Sequence, residues 1–104
     1  MKVRIIEEKW GINRRTGKKS VEKTEEQIVV PRAGLQLLFT KGNRCFVING
    51  VSESVVDISM KNKNPDFDKN WKLSLNETIK HRPRSFDGGY QYQIDLLEEN
   101  EWGN

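Results

Sequence analysis

The sequence predicts an all-β fold: one domain spanning residues 1–104, built as a small antiparallel β-sandwich or barrel of about six or seven strands with at most one short helix. Three observations support this prediction. Residues 35–51 read as an apolar hairpin, residues 90–96 alternate between apolar and polar side chains, and short apolar runs are joined by turn-rich segments with no βαβ pattern. A chain of this length is typical of one domain with a modest core.

The hairpin is the strongest local signal in the chain. Gly42-Asn43 lies between two apolar runs and predicts a two-residue type II′ turn with positive φ at the glycine. That turn would pair Phe39 directly with Phe46. Alternation then places one apolar set inward and a second, also mostly apolar, on the other face: Leu37, Phe39, Phe46 and Ile48, against Leu38, Thr40, Cys45 and Val47. Both faces are therefore predicted to be covered, with Cys45 buried.

The chain before the hairpin is predicted to form two paired strands. Val3–Ile12 is the first, with Ile6, Trp10 and Ile12 on one face and Val3 and Ile5 on the other. A polar turn over residues 13–17 follows. The strand from 18 to 30 is highly charged in its first half, which predicts an edge position, because charged side chains discourage further strand addition.

The chain after the hairpin is predicted to add further strands. Asn49-Gly50 signals another turn, leading into a strand over 51–60 and a polar loop over 61–70. Residues 71–81 fit either a strand or a helix, and the alternation of Trp71, Leu73 and Leu75 favours a strand. In the last strand the inward residues are predicted to be Tyr90, Tyr92, Ile94 and Leu96.

The apolar runs and the cysteine content of the sequence indicate the cellular compartment. No apolar run approaches the ~20 residues of a membrane span, and the first ten residues lack the apolar stretch of a signal peptide. The single cysteine excludes an intrachain disulfide framework. A cytoplasmic protein without a membrane segment is predicted.

Charge is distributed unevenly along the chain. Residues 61–84 hold 7 basic and 3 acidic side chains, whereas residues 85–104 hold 5 acidic and none basic. The simplest interpretation is that the acidic tail folds back and neutralises the basic surface.

Three features of the sequence resemble patterns of binding or catalytic sites, and each departs from the pattern that it resembles. Residues 11–19 resemble a phosphate-binding loop but have five residues between the glycines and a lysine at the hydroxyl position. A calcium spacing joins Asp66, Asp68, Asn70 and Glu77, but tryptophan holds the position that needs glycine. His81 is the only histidine and has no nucleophile signature beside it. We therefore predict that the protein is not an enzyme and that it binds no cofactor and no metal.

The combination of basic residues with nearby aromatic residues is the only functional pattern in the sequence that has more than one component. Small β-barrels with basic loops and stacking aromatics often hold single-stranded nucleic acid. The candidate binding residues are Arg14, Arg15, Lys18, Lys19, Arg82 and Arg84.

Two functions follow from these patterns. The first is a non-catalytic module that binds a protein partner, including a second copy of itself, through incompletely covered apolar surface of the hairpin. The alternative is a small β-barrel that binds nucleic acid or another polyanion. Exposed Tyr or Trp on a flat or edge surface would favour the first, and basic loops converging on one face would favour the second.

Overall fold

Eight antiparallel strands form two four-stranded sheets that pack face to face in the computed structural model, which describes residues 1–83 and 87–98. The first sheet has the order β2-β1-β8-β7 and the second the order β3-β4-β5-β6. The strands are β1 Lys2–Ile12, β2 Lys19–Val29, β3 Gln36–Phe39, β4 Arg44–Val51, β5 Val55–Lys61, β6 Lys69–Ser74, β7 Thr78–His81 and β8 Gly88–Leu97, with a 3-10 turn at Pro65–Phe67. The all-β prediction is confirmed, and the architecture is a sandwich.

The strand count of six or seven was too low, because the region predicted as one strand over 71–81 is two. Asn76 adopts φ 66° and reverses the chain between β6 and β7. β6 then completes the second sheet, whereas β7 crosses to the first.

The predicted hairpin exists with a different turn. Leu37 pairs with Phe46 and Phe39 pairs with Arg44, so the register is offset by two residues and Thr40–Asn43 form a four-residue loop. Asn43 has φ 53° and Gly42 does not have positive φ, which excludes the type II′ turn. Because side chains alternate with period two, an offset of two preserves the faces. The predicted inward set is confirmed: Leu37, Phe39, Phe46 and Ile48 are all buried.

The opposite face of this hairpin is not covered, contrary to prediction. Leu38 is 56 % exposed, and Cys45 and Val47 are half-buried. The Asn49-Gly50 turn is also wrong. These residues lie within β4 at a register shift, and the reversal occurs over residues 52–54.

Three aromatic rings form the centre of the core. Phe39, Phe46 and Tyr92 lie edge to face, with ring centroids 5.2–5.7 Å apart. Val3 and Ile5 of β1 join them, whereas Ile6 and Ile12, predicted to share a face with Trp10, are half-buried outside the core cluster. Tyr92, Ile94 and Leu96 are buried as predicted, and Tyr90 is half-buried against the core.

A buried carboxylate joins the two sheets. Glu7 of β1 is fully buried and accepts hydrogen bonds from Tyr92 Oη at 2.7 Å and Thr24 Oγ1 at 2.7 Å. Its third donor is the backbone N–H of Gly42, at 3.2 Å, in the β3–β4 loop of the other sheet. Burial of an acid requires such donors, because an unsatisfied buried charge is costly. Glu7 thereby fixes this loop against the first sheet.

Tyr92→Phe is expected to lower the free energy of unfolding by about 1.5–3 kcal/mol at neutral pH, because it removes a hydrogen bond to a charged group. Burial, followed by the hydrogen bond to Glu7, raises the pKa of Tyr92 above its ordinary value of 10.0. Below pH 10 the phenol is neutral in both the folded and the unfolded chain. As the pH rises further, only the unfolded chain loses this proton, so the stability that Tyr92 contributes declines.

Urea titrations of wild type and Tyr92→Phe at pH 7 and at alkaline pH would measure this effect. The stability difference between the two proteins should shrink as the pH rises above about 10. A difference that stays constant across this range would contradict the assignment.

Candidate functional site

The antiparallel topology gathers four connections at one end of the sandwich. The β3–β4 loop contacts the first sheet at Glu7, in the middle of β1, and the β1–β2 and β7–β8 connections meet where Ile12 N donates to Asp87 O at 2.9 Å. We call this the basic end and define it as the connections with the strand residues that flank them: residues 12–19, 39–44, 61–69, 81–83 and 87–88. The remaining connections meet at the opposite end, where Leu75 N donates to Ser54 O at 2.8 Å and Asn76 N to Leu96 O at 2.7 Å.

The two ends differ sharply in charge. The basic end holds ten Lys or Arg against three Asp, an excess of seven positive charges: Arg14, Arg15, Lys18, Lys19, Lys41, Arg44, Lys61, Lys63, Lys69 and Arg82. The opposite end, residues 1–2, 29–36, 51–55, 74–78 and 97–98, holds two Lys or Arg against three Glu. Charge that is scattered along the sequence is thus concentrated by the fold.

Few of these cations are neutralised locally. Lys61 Nζ lies 3.7 Å from Asp68 Oδ2, and Arg14 pairs with Asp87. Within residues 1–83 and 87–98, the other eight have no carboxylate oxygen within 4 Å. Seven of these eight side chains are exposed, and the eighth, Arg44, is half-buried.

Of the described acidic residues in the segment 85–98, Asp87 pairs with Arg14 at the basic end, whereas Asp95 and Glu98 do not fold back onto this surface. β8 begins at the basic end and carries Asp95 and Glu98 to the other end of the sandwich. Asp95 is 1 % exposed, and its carboxylate accepts from Arg4 at 2.8 Å and from Thr78 Oγ1 at 2.6 Å. Burial acts to raise the pKa of Asp95, but these hydrogen bonds outweigh that effect, so the pKa lies below its ordinary value. Residues 99–104 lie outside the described residues.

The predicted binding residues of the first hairpin lie together at its exposed turn. Asn13 Oδ1 accepts from Arg15 N at 2.9 Å, and Gly17 adopts φ 71°, so the turn is locally defined. The members of this group are Arg14, Arg15, Lys18 and Lys19, and all four are exposed. Arg14 connects the turn to the start of β8 through Asp87. The last predicted residue, Arg84, lies outside the described residues.

Arg82 is held in a defined position beside β8. Its guanidinium carbon lies 4.0 Å from the ring centroid of Trp10, and its Nε and NH2 groups donate to Gln91 Oε1 at 3.0 and 2.7 Å. Gln91 Nε2 in turn donates to Glu8 Oε1 at 3.0 Å. Trp10 stands opposite Gly89 in the sheet, so no side chain of β8 competes for the indole face. Trp10 is only 6 % exposed and is no open stacking platform.

Sequence reasoning missed the cations that surround His81. Burial lowers the pKa of His81, and the nearby charges of Lys69 and Arg44 lower it further, so this imidazole is neutral at pH 7. Its ring contacts Trp71 at 5.3 Å between centroids. These residues come from three strands in two different sheets, and no local pattern signals their meeting.

A polar pocket of about 320 Å³ opens beside Arg82 on the outer surface of the first sheet. Residues of three neighbouring strands, with Arg82 directly after β7, line it: Glu8, Lys80, His81, Arg82, Gln91, Tyr92 and Gln93. The register explains the grouping, because Gln93 pairs with Lys80 on one side and Gln91 pairs with Glu8 on the other. Alternation with the inward residues of β8 places both glutamines on the outer face, but it does not indicate which residues they meet.

The four residues that fit the spacing of a calcium-binding loop do not lie in one loop: Asp66, Asp68, Asn70 and Glu77. Asp68 Oδ1 accepts from Asn62 N at 2.7 Å, and β6 carries Glu77 to the opposite end of the sandwich. Among residues 1–83 and 87–98, no cluster of three or more His, Cys, Asp or Glu is placed to hold a metal ion. In the same ranges, no helix has the length and apolar character needed to cross a membrane.

Comparison of the chain with protein-family models, with curated proteins and with solved structures finds no significant match.

Proposed function

We propose that this protein is a non-catalytic domain that binds single-stranded nucleic acid through its basic end. The observation that supports this most directly is the excess of seven positive charges at one end, eight of whose ten cations lack a carboxylate partner among the described residues. Phosphates can neutralise such cations and release the counterions condensed on the strand, which drives binding. The convergence of basic loops is the discriminating feature that favours nucleic acid over a protein partner.

Two features favour a single strand over a duplex. The pocket beside Arg82 is lined by side chains that can contact the edges of a base, and these edges are paired in a duplex. Arg82 lies over Trp10 and also lines the pocket, so its guanidinium is held at the border between the two. A guanidinium held in this way can pair with phosphate and stack on a base.

A cytoplasmic location belongs to the same proposal. The single cysteine, Cys45, is a half-buried free thiol, as suits a reducing compartment.

Fluorescence anisotropy with short single- and double-stranded oligonucleotides over a salt series tests the proposal. Log K should fall linearly with log[salt], with a slope of about −0.7 per phosphate contact on a single strand. Replacing Arg15 and Lys18 together with alanine should flatten this slope by about one to one and a half units and weaken all sequences about equally. Both side chains are exposed and belong to the turn of the first hairpin.

Lys2→Ala combined with Arg32→Ala is the charge-matched control, because these residues lie at the opposite end. The control should leave the slope unchanged. Dissociation constants weaker than about 100 µM at low salt, or equal losses in both double variants, would remove the basic end as a binding site.

Binding of a protein partner remains the second proposal, supported by one specific observation. Leu38 is 56 % exposed on the outer face of the second sheet and pairs across the strands with half-buried Cys45. Absence of oligonucleotide binding in the titrations above would put this proposal first.

A further inference from the structure

The pocket on the first sheet has a mixed hydrogen-bonding character. Two cations, Lys80 and Arg82, stand on its β7 side, and the carboxylate of Glu8 stands on its β1 side. The carboxamides of Gln91 and Gln93 lie between them. A carboxylate in the wall repels a bare phosphate, so the pocket suits a ligand with both donors and acceptors on its edges.

Three side chains of this pocket, Arg82, Gln91 and Glu8, are held in position by contacts within the protein. Trp10 lies against Arg82, Arg82 donates twice to Gln91, and Gln91 donates to Glu8. Each side chain in this series of contacts orients the next one. A preorganised site loses less side-chain entropy on binding, so its hydrogen bonds contribute more fully to selectivity.

We propose that the pocket takes a guanine base of the bound strand, an inference that rests on the proposed function. Guanine presents N1–H and N2–H side by side, which match the two oxygens of the Glu8 carboxylate. Its O6 and N7 are adjacent acceptors, which are the atoms that Arg and Lys contact in guanine recognition. Adenine and thymine lack both of these adjacent pairs, and cytosine lacks the pair of donors.

The size and position of the pocket agree with one base. A volume of about 320 Å³ lies at the lower limit of small-molecule pockets. Arg82 belongs both to the pocket and to the basic end, so a strand whose phosphates contact the basic end passes beside the pocket. Phosphate contacts then hold the strand, and the pocket reads one base.

Anisotropy with short thymine oligonucleotides that carry one central guanine, adenine or cytosine tests this inference. The guanine-containing strand should bind about tenfold tighter than the all-thymine strand, the order of discrimination that one well-placed bidentate contact provides. Inosine in place of guanine, which lacks the N2 amine, should lose most of this advantage. 7-Deazaguanine, which lacks N7, should lose part of it.

Glu8→Gln should abolish the guanine preference, because the amide keeps an acceptor for Gln91 but not the paired carboxylate oxygens. Glu22→Gln is the matched control, since Glu22 is exposed on β2 and does not line the pocket. It should retain the preference.

Three results would overturn the inference, and they are distinguishable from failure of the proposed function. Equal, salt-dependent binding of all four strands would leave the proposed function in place and remove the guanine site. A guanine preference that survives Glu8→Gln, or equal binding of inosine and guanine, would place recognition elsewhere. Absence of binding to every strand would overturn both proposals.

Discussion

Replacing Phe39 or Phe46 with alanine is expected to lower the free energy of unfolding by about 3–5 kcal/mol. Both rings are fully buried and lie edge to face with each other and with Tyr92. Each truncation would remove apolar contact area and leave a cavity between two sheets whose backbones cannot close together. A loss of this size is a large part of the stability of a small domain.

Chemical denaturation monitored by circular dichroism measures this loss, and Leu38→Ala provides the control. Leu38 precedes Phe39 in the same strand but is 56 % exposed on the other face, so its truncation should cost under about 1 kcal/mol. Losses below about 1 kcal/mol for both phenylalanine variants would show that the core is not centred on this trio.

Gly42→Ala is the second substitution with a large expected effect, at about 2–4 kcal/mol. A Cβ at this position would overlap Tyr92 Oη and the Glu7 carboxylate, both of which are buried and hydrogen-bonded to each other. The β3–β4 loop must then move away, and Glu7 loses the Gly42 N–H as a donor. Overpacking and the weakened support of a buried charge both contribute.

Gly50→Ala tests whether the effect is specific to that close approach. A Cβ at Gly50 meets no atom within 4 Å, so this substitution should change stability by less than about 0.5 kcal/mol. Gly42 does not have positive φ, so glycine is required there for the close approach and not for its backbone conformation. Wild-type stability of Gly42→Ala would contradict this steric explanation.

The sequence predicts the core well because alternation survives errors in register. The type II′ turn predicted at Gly42 was wrong, yet Phe39 and Phe46 face inward as expected, since the actual pairing differs by an even number of residues. Gly42 has the predicted importance for a different reason, its contact with Glu7. Burial of Glu7 itself is invisible in the sequence, where an acid in a strand reads as a solvent-facing residue.

The candidate site depends on strand directions, and one miscounted strand is enough to lose it. If residues 71–81 formed a single strand, Arg82 would leave it at the end opposite to Arg14. The reversal at Asn76 adds a strand and brings Arg82 to the same end as the turn of the first hairpin. The proximity of Arg44 and Lys69 to His81 was missed for a related reason, because it depends on the packing of one sheet on the other.

The charge difference between the two ends makes the molecule a strong electric dipole aligned with its strands. An extended line of negative charge exerts a torque on such a dipole from beyond contact distance, at separations up to roughly the Debye length of about 10 Å at 0.1 M salt. If the proposed function holds, the molecule would approach a nucleic-acid strand with the first hairpin leading, already rotated into the binding orientation. Raising the ionic strength would then slow association by disordering the approach as well as by weakening the final contacts.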